Sequence, residues 1–481
     1  MRILLASSEV FPYSKTGGLA DMVGALGKYL AEAGHEVVLV TPLYRMVRAA
    51  VPALEKQSIR LNLPLGNEMV RAELLMLKPA DRLTVYFVQQ PAFYDRRSLY
   101  GEAGQDYPDN AERFIFFAKC AAQLARRPSW RPDIVHAHDW QAGLLPLFLA
   151  HGKWREGWAN PPRTCMTIHN LAYQGVFPSS KYLLTNLPWD YFNSKGLEFY
   201  SQMNCLKAGI VYADVVTTVS PRYAREITTE EYGCGLDGVL RERLASLYGI
   251  LNGVDYSEWK TVDNPFLKNS YSVADLSAKR LAKLDLQAEF GLPQGEQVPL
   301  FASVGRLVDQ KGSDILLGAL EEMLGANLQF VLLGSGDPLF EAAFRDLARR
   351  YPNKVAVRIG YDHALAHRIE AAADFFIMPS RFEPCGLNQM YSLRYGTIPI
   401  VRVTGGLDDS VTAPADDVAT ADGLKFSEHS PRALARAIRK ALVLYERPDL
   451  MEHFRQNGME TDFSWTRTAG EYLQLFQDLL G

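Results

Sequence analysis

At 481 residues the chain exceeds what one hydrophobic core serves, because single cores stop growing at roughly 250–300 residues, so two domains are expected. Its 48% hydrophobic and 22% charged residues exclude a disordered chain, and a formal charge of −4 provides no field for a nucleic-acid partner. The absence of any run of about 18 apolar residues argues against a membrane span, and five scattered cysteines without C-x-x-C spacing argue against a disulfide framework or thiolate zinc site and fit a reducing cytoplasm.

The first apolar run, residues 1–6, stops at Ser7-Ser8-Glu9 without a cleavage-like segment and reads as a buried strand rather than a signal peptide. Strands are predicted at 3–7, 37–41, 83–88, 133–138, 164–169 and 215–219. Several, such as Val37-Val38-Leu39-Val40, are apolar without alternation, as in parallel strands buried on both faces. Between the first two, Leu19, Val23, Leu26 and Leu30 share one helical face. The α/β order restarts after the turn-forming stretch 249–255, with strands at 300–304, 329–333, 355–359, 375–378 and 398–403. The predicted fold class is α/β, two doubly wound halves with ligands beyond the carboxyl ends of the strands, in the cleft between the halves.

Candidate chemistry gathers at those strand ends. The first strand runs into Lys15-Thr16-Gly17-Gly18-Leu19-Ala20-Asp21, where glycines permit close backbone approach and free N–H groups at a helix start favour an anion such as diphosphate; a plain strand-to-helix connection would look the same. It is neither a Walker loop nor G-x-G-x-x-G, and the second strand ends in Thr41-Pro42 without an acid for a ribose. A phosphate-hydrolysing motor and a dinucleotide oxidoreductase are therefore disfavoured. His136-Ala137-His138-Asp139-Trp140 and Thr167-Ile168-His169-Asn170 end two further strands. Read against metal binding, they are hydrogen-bonded residues of the cleft rim. Gly305-Arg306-Leu307-Val308-Asp309-Gln310-Lys311-Gly312 brings two cations to a strand end, where they could neutralise a departing nucleotide diphosphate without a metal. Ser380-Arg381-Phe382-Glu383-Pro384-Cys385-Gly386-Leu387 presents Glu383 on a proline-bounded turn, able to accept from sugar hydroxyls, with Gly386 expected to open a helix and Cys385 read as a small buried thiol. Thr404-Gly405-Gly406-Leu407 ends the next strand with a second glycine pair.

Together and in this order these segments resemble the bacterial glycogen synthases and plant starch synthases, over nearly the whole chain; Asn252-Gly253-Val254-Asp255 and Phe463-Ser464-Trp465 belong to the same likeness. The resemblance implies a retaining, ADP-glucose-dependent glycosyltransferase of GT-B architecture, two Rossmann-like domains facing each other across a deep cleft, with no cofactor and no metal. It implies an acceptor-side domain over 1–248, a donor-side domain over 249–457, and a terminal helix over 458–481 crossing back to the first domain. It places Lys15, Gly17, Gly18 and Asp21 near the diphosphate and ribose, and Arg306 and Lys311 on the leaving diphosphate. Tyr361 would stack on adenine, while Asp139, His169 and Asn252 lie near the transferred glucose. By the same resemblance Glu383 would be the essential carboxylate, with Cys385, Gly386 and Leu387 in its binding turn. The implied partners are ADP-glucose and an α-1,4-glucan such as glycogen. Two departures stand out: Gln141 where many relatives carry histidine, and His363 where glutamate is common. The rival expectations are a glucan phosphorylase-like enzyme with a pyridoxal cofactor on a lysine, and a non-catalytic glucan-binding protein.

Overall fold

A computed structural model describes residues 1–51, 54–102, 104–156 and 161–481. The chain forms two compact units, Met1–Gly253 with Trp465–Gly481, and Val254–Ser464. It leaves the first unit after Gly253 and re-enters at Trp465, later than positions 248 and 458. The cause is local: a Cβ on Gly253 would come within 2.8 Å of the Trp465 backbone, so glycine lets these two segments touch within one unit.

In the first unit β1 (Arg2–Ala6), α1 (Gly18–Glu32), β2 (Glu36–Pro42), β3 (Glu55–Leu65), β4 (Glu68–Ala80) and β5 (Leu83–Gln89) precede α2 (Asn110–Ala125), β6 (Ile134–His138), β7 (Arg163–Ile168), β8 (Val215–Thr218) and β9 (Leu247–Gly249). The nine strands form one sheet in the order β9-β8-β7-β6-β1-β2-β5-β4-β3. From β9 to β5 the pairs are parallel, and β5-β4-β3 is an antiparallel edge. The central strands are apolar on both sides because helices cover both, and Ile3, Leu4, Leu5 and Ala6 are fully buried. On α1 the face carrying Leu19, Val23, Leu26 and Leu30 is buried as its spacing predicts. The β3–β4 hairpin was not among the predicted strands, and the middle of β4 alternates buried and half-buried positions as a partly solvated edge does.

The second unit is built on β10 (Leu300–Leu307), α3 (Ser313–Met323), β11 (Gln329–Gly336), β12 (Val355–Ile359), α4 (His363–Ala372), β13 (Phe375–Met378), α5 (Asn388–Arg394), β14 (Ile398–Arg402) and β15 (Leu424–Phe426). Its six strands are all parallel, ordered β12-β11-β10-β13-β14-β15. Both units are thus Rossmann-like parallel sheets. The terminal helix α6 (Trp465–Leu480) belongs to the first unit and packs on α1, and Tyr472 and Phe476 are among its buried residues. No helix among the described residues is long and apolar enough to cross a membrane, and none of the five cysteines is in a disulfide.

Candidate active site

In the first unit the carboxyl end of β1 is organised by a residue that the sequence reading passed over. Glu9 is 3% exposed, and its carboxylate accepts from the Thr16 backbone N–H, from the Thr16 hydroxyl at 2.6 Å and from the Tyr100 hydroxyl at 2.6 Å. A buried carboxylate needs such donors, and satisfying it here fixes the loop that carries Lys15 to Gly18. Lys15, partly exposed, pairs with Asp21 one turn into α1 at 2.7 Å. Gly17 caps α1 in extended conformation, φ −157°, with no side-chain cap. A Cβ there would meet nothing within 4 Å. The helix start, with its leading N–H groups lacking intrahelical partners, therefore opens onto unfilled space beside a lysine, an arrangement suited to an anion.

Two strands along, β6 and β7 end in the histidine cluster. His136 is fully buried, with Nε2 2.5 Å from the Thr167 hydroxyl and its ring 5.5 Å and 5.7 Å from those of Tyr472 and Phe476. It is a core residue under the terminal helix, not a rim residue. His138 Nδ1 lies 3.2 Å from His169 Nε2. Burial pushes His136 and His169 down to about 3 and His138 well below the ordinary imidazole value, so all three are neutral at pH 7. Asp139 adopts left-handed backbone, φ 56°, unusual for a non-glycine residue and typical of held functional positions. Its carboxylate accepts from the His169 backbone N–H at 2.7 Å, and burial raises it to about 7 despite that bond. Asn252 is buried, and its Oδ1 has no hydrogen-bond partner among the described residues.

In the second unit five of the six parallel strands deliver residues of interest at their carboxyl ends. Arg306, exposed at the end of β10, has Nη2 3.4 Å from Gln310. Lys311 donates to Glu383 at 2.5 Å, and Ser380 donates to the same carboxylate oxygen at 3.0 Å. Glu383 is only 6% exposed, so its charge is held by those two donors. The turn behind it is locked by glycine: a Cβ on Gly405, at φ 43°, would sit 2.0 Å from the Glu383 carbonyl, and Gly406 N–H donates to that carbonyl at 3.1 Å. Gly386 does not open the helix as expected. It takes left-handed backbone at φ 73°, Leu387 is the cap, and α5 begins at Asn388 because Gln389 folds back to the Cys385 and Gly386 carbonyls. Cys385 is buried, as expected of a small thiol. Tyr361 leaves the end of β12 with its ring 82% exposed, and Gly360 N–H donates to Gly334 of the neighbouring β11 at 2.9 Å. Gly334-Ser335-Gly336 at that strand end was also missed, although two glycines flanking a serine after an apolar run are a recognisable signal.

The structure thus brings together Lys15 with Asp21, Asp139 with His169, and Lys311 with Glu383, each pair at the carboxyl edge of a parallel sheet. Open anion-suited glycine turns, exposed cations and a buried carboxylate able to accept from sugar hydroxyls, on two Rossmann-like sheets, are features that suit a transferase acting on a nucleotide-sugar. Residues 2–242 match the family model for the starch synthase catalytic domain, and residues 287–461 that for glycosyl transferases group 1. The chain is 49% identical over 482 residues to a glycogen synthase of Anaeromyxobacter sp. (strain Fw109-5), spanning 100% of this chain and 99% of the relative. It is 48% identical over 484 residues to that of Myxococcus xanthus (strain DK1622), spanning 100% of both. Among solved structures it resembles the catalytic domain of starch synthase IV from Arabidopsis thaliana bound to ADP and acarbose, with a TM-score of 0.87 and 32% identity over 100% of this chain and 99% of that one. The chain belongs to the glycogen and starch synthase family.

Proposed function

We propose that the chain elongates an α-1,4-glucan such as glycogen, moving glucose from ADP-glucose to the non-reducing end with retention of anomeric configuration. The observation that carries this is the Lys311–Glu383 pair at 2.5 Å, together with Arg306 exposed at the end of β10. When the glycosidic bond to the diphosphate breaks, negative charge develops on the leaving phosphate. Arg306 and Lys311 stabilise it electrostatically without a metal or cofactor. Glu383, held in place by Lys311 and Ser380, accepts from sugar hydroxyls and orients the ring as it gains oxocarbenium character. ADP as the nucleotide and a glucan as acceptor are supported by the related starch synthase IV structure, which holds ADP and acarbose. In this proposal the second unit is the donor side, with Tyr361 stacking on the adenine, and the first is the acceptor side.

The histidines bear on how the acceptor proton leaves. His169 is neutral, and a carboxylate for a double displacement is not supported by Asp139, whose oxygen is engaged by backbone N–H. A front-face transfer, in which the departing phosphate oxygen takes the proton from the glucan 4-hydroxyl, needs neither an added base nor a nucleophile. His169 and Asn252 then serve as neutral partners for sugar hydroxyls, and Lys15, Gly17, Gly18 and Asp21 for diphosphate and ribose. The test is incorporation of labelled glucose into glycogen from ADP-glucose and from UDP-glucose, for the native chain and Glu383→Ala, with chelator present. Transfer from ADP-glucose that the substitution abolishes is expected. A folded protein that binds glycogen but transfers from neither donor would leave a binding protein instead.

A further inference from the structure

Outside every residue assigned to transfer, three metal-ligating side chains converge in the second unit. Asp362 caps α4 by accepting from Leu365 N–H at 2.9 Å, and the helix then presents His363 and His367, four residues apart, on one face. Their Nε2 atoms are 3.3 Å apart, and the Oε1 of Glu258 is 3.1 Å from His363 Nε2. All three donor atoms lie within 4.8 Å of one another. An imidazole nitrogen carries one proton or one lone pair. His363 Nε2 therefore cannot make a full hydrogen bond to both neighbours, whereas one cation can bind all three. For metal–nitrogen bonds of about 2.0–2.1 Å in tetrahedral array, two ligand nitrogens stand about 3.3–3.4 Å apart, which is the separation seen.

The surroundings are those of a held ligand. His367 is fully buried, its ring stacked on Trp259 at 4.1 Å and 12°, and Trp259 is itself stacked on Tyr391 at 3.6 Å. His367 Nδ1 lies 2.8 Å from the Tyr395 hydroxyl, which also takes Asn264 Nδ2 at 2.8 Å. Such outer partners fix the orientation of a ligating imidazole. His363 and Glu258 are about one-third exposed, at 37% and 34%, so a cation has an entry path and water can complete its coordination.

We propose that Glu258, His363 and His367 form a binding site for a borderline first-row divalent cation, for which zinc is the probe. The cation would tie the segment around Glu258 to the start of α4, two residues from Tyr361, and so stiffen the loop that carries that ring. It takes no part in the transfer step. The full-length protein, stripped with chelator, is titrated with Zn²⁺ and Co²⁺ beside Glu258→Gln and His363→Ala, both at partly exposed side chains. One equivalent bound by the native chain, a raised melting temperature, and a Co²⁺ visible band without thiolate charge transfer are expected. Both variants should lose that equivalent while melting like the native chain in chelator. No bound equivalent in the native chain, or binding that survives both substitutions, would overturn the site and leave a plain His363–Glu258 contact.

Discussion

Gly17→Ala separates the anion-binding role of the first glycine turn from its role in the fold. Nothing lies within 4 Å of the added Cβ, and φ −157° is extended backbone open to any residue. Two small terms oppose each other. Alanine restricts the unfolded chain, stabilising by about 0.4–1 kcal/mol, but is a poorer helix N-cap than glycine, costing about 0.5–1 kcal/mol. The net change should stay within about 0.5 kcal/mol, or roughly 2 °C in melting temperature. If a diphosphate approaches the backbone here, the methyl group displaces it by about 1 Å, and misplacement on that scale lowers turnover by about 100-fold. Initial rates with labelled ADP-glucose at saturating glycogen, alongside thermal melts, measure both. Gly312→Ala is the contrast: at φ 72° its Cβ would meet the Pro379 carbonyl at 2.2 Å, so that variant should melt early. A Gly17→Ala protein that keeps donor kcat/KM within a factor of about three would refute the diphosphate cradle.

In a cycle of Lys311→Met and Glu383→Gln, either single change should remove transfer, with a coupling of about 2 kcal/mol in denaturant melts because one buried charge loses its partner; additive stabilities would show that the pair is not a unit. Tyr361→Ala, at a ring 82% exposed, should leave melting unchanged and raise the donor KM about five- to tenfold, the worth of one aromatic stack, with the glucan KM untouched. His136 and His169 are held neutral in the fold and take up protons in the unfolded chain below about pH 6.5, so their contribution to stability is full above that pH and lost as it falls toward about 3, and His138 is shifted in the same direction by burial. Asp139, raised to about 7, acts oppositely, its contribution falling as pH rises from about 4 to 7. His136→Phe removes one of these titrations, and urea melts between pH 4.5 and 6 should show a slope flatter by about 1.4 kcal/mol per pH unit.

The parallel strands were legible because burial on both faces writes an unalternating apolar run, as in Val37-Val38-Leu39-Val40. The face of α1 was legible from its helical spacing. The β3–β4 hairpin also had a signal, with Leu61, Leu63 and Leu65 alternating on one side of Gly66-Asn67 and Val70, Ala72, Leu74 and Met76 on the other. What local pattern does not encode is pairing across the chain. Glu9 and Tyr100 are 91 residues apart, Lys311 and Glu383 are 72 apart, and His136 is a core residue because a helix at the far end of the chain covers it. Residue type singled out Lys311 and Glu383 as chemically able, but only the fold shows that they are partners.

Lys15 in the first unit and Lys311 in the second are partnered differently, and the difference bears on the role proposed for each. Lys15 and Asp21 are both partly exposed, with side chains 41% and 27% accessible, and such pairs contribute about 0–1 kcal/mol. A diphosphate can draw Lys15 away from Asp21 at small cost, so this cation is suited to binding the donor as it arrives. Lys311 faces a carboxylate only 7% accessible, and separating them would strand a buried charge. An ammonium has three N–H donors, however, and the contact with Glu383 uses one. Lys311 can therefore stay on Glu383 and still donate to the departing phosphate. The group that stabilises the leaving charge then also holds in place the carboxylate that orients the sugar, so any substitution that shifts one should shift the other.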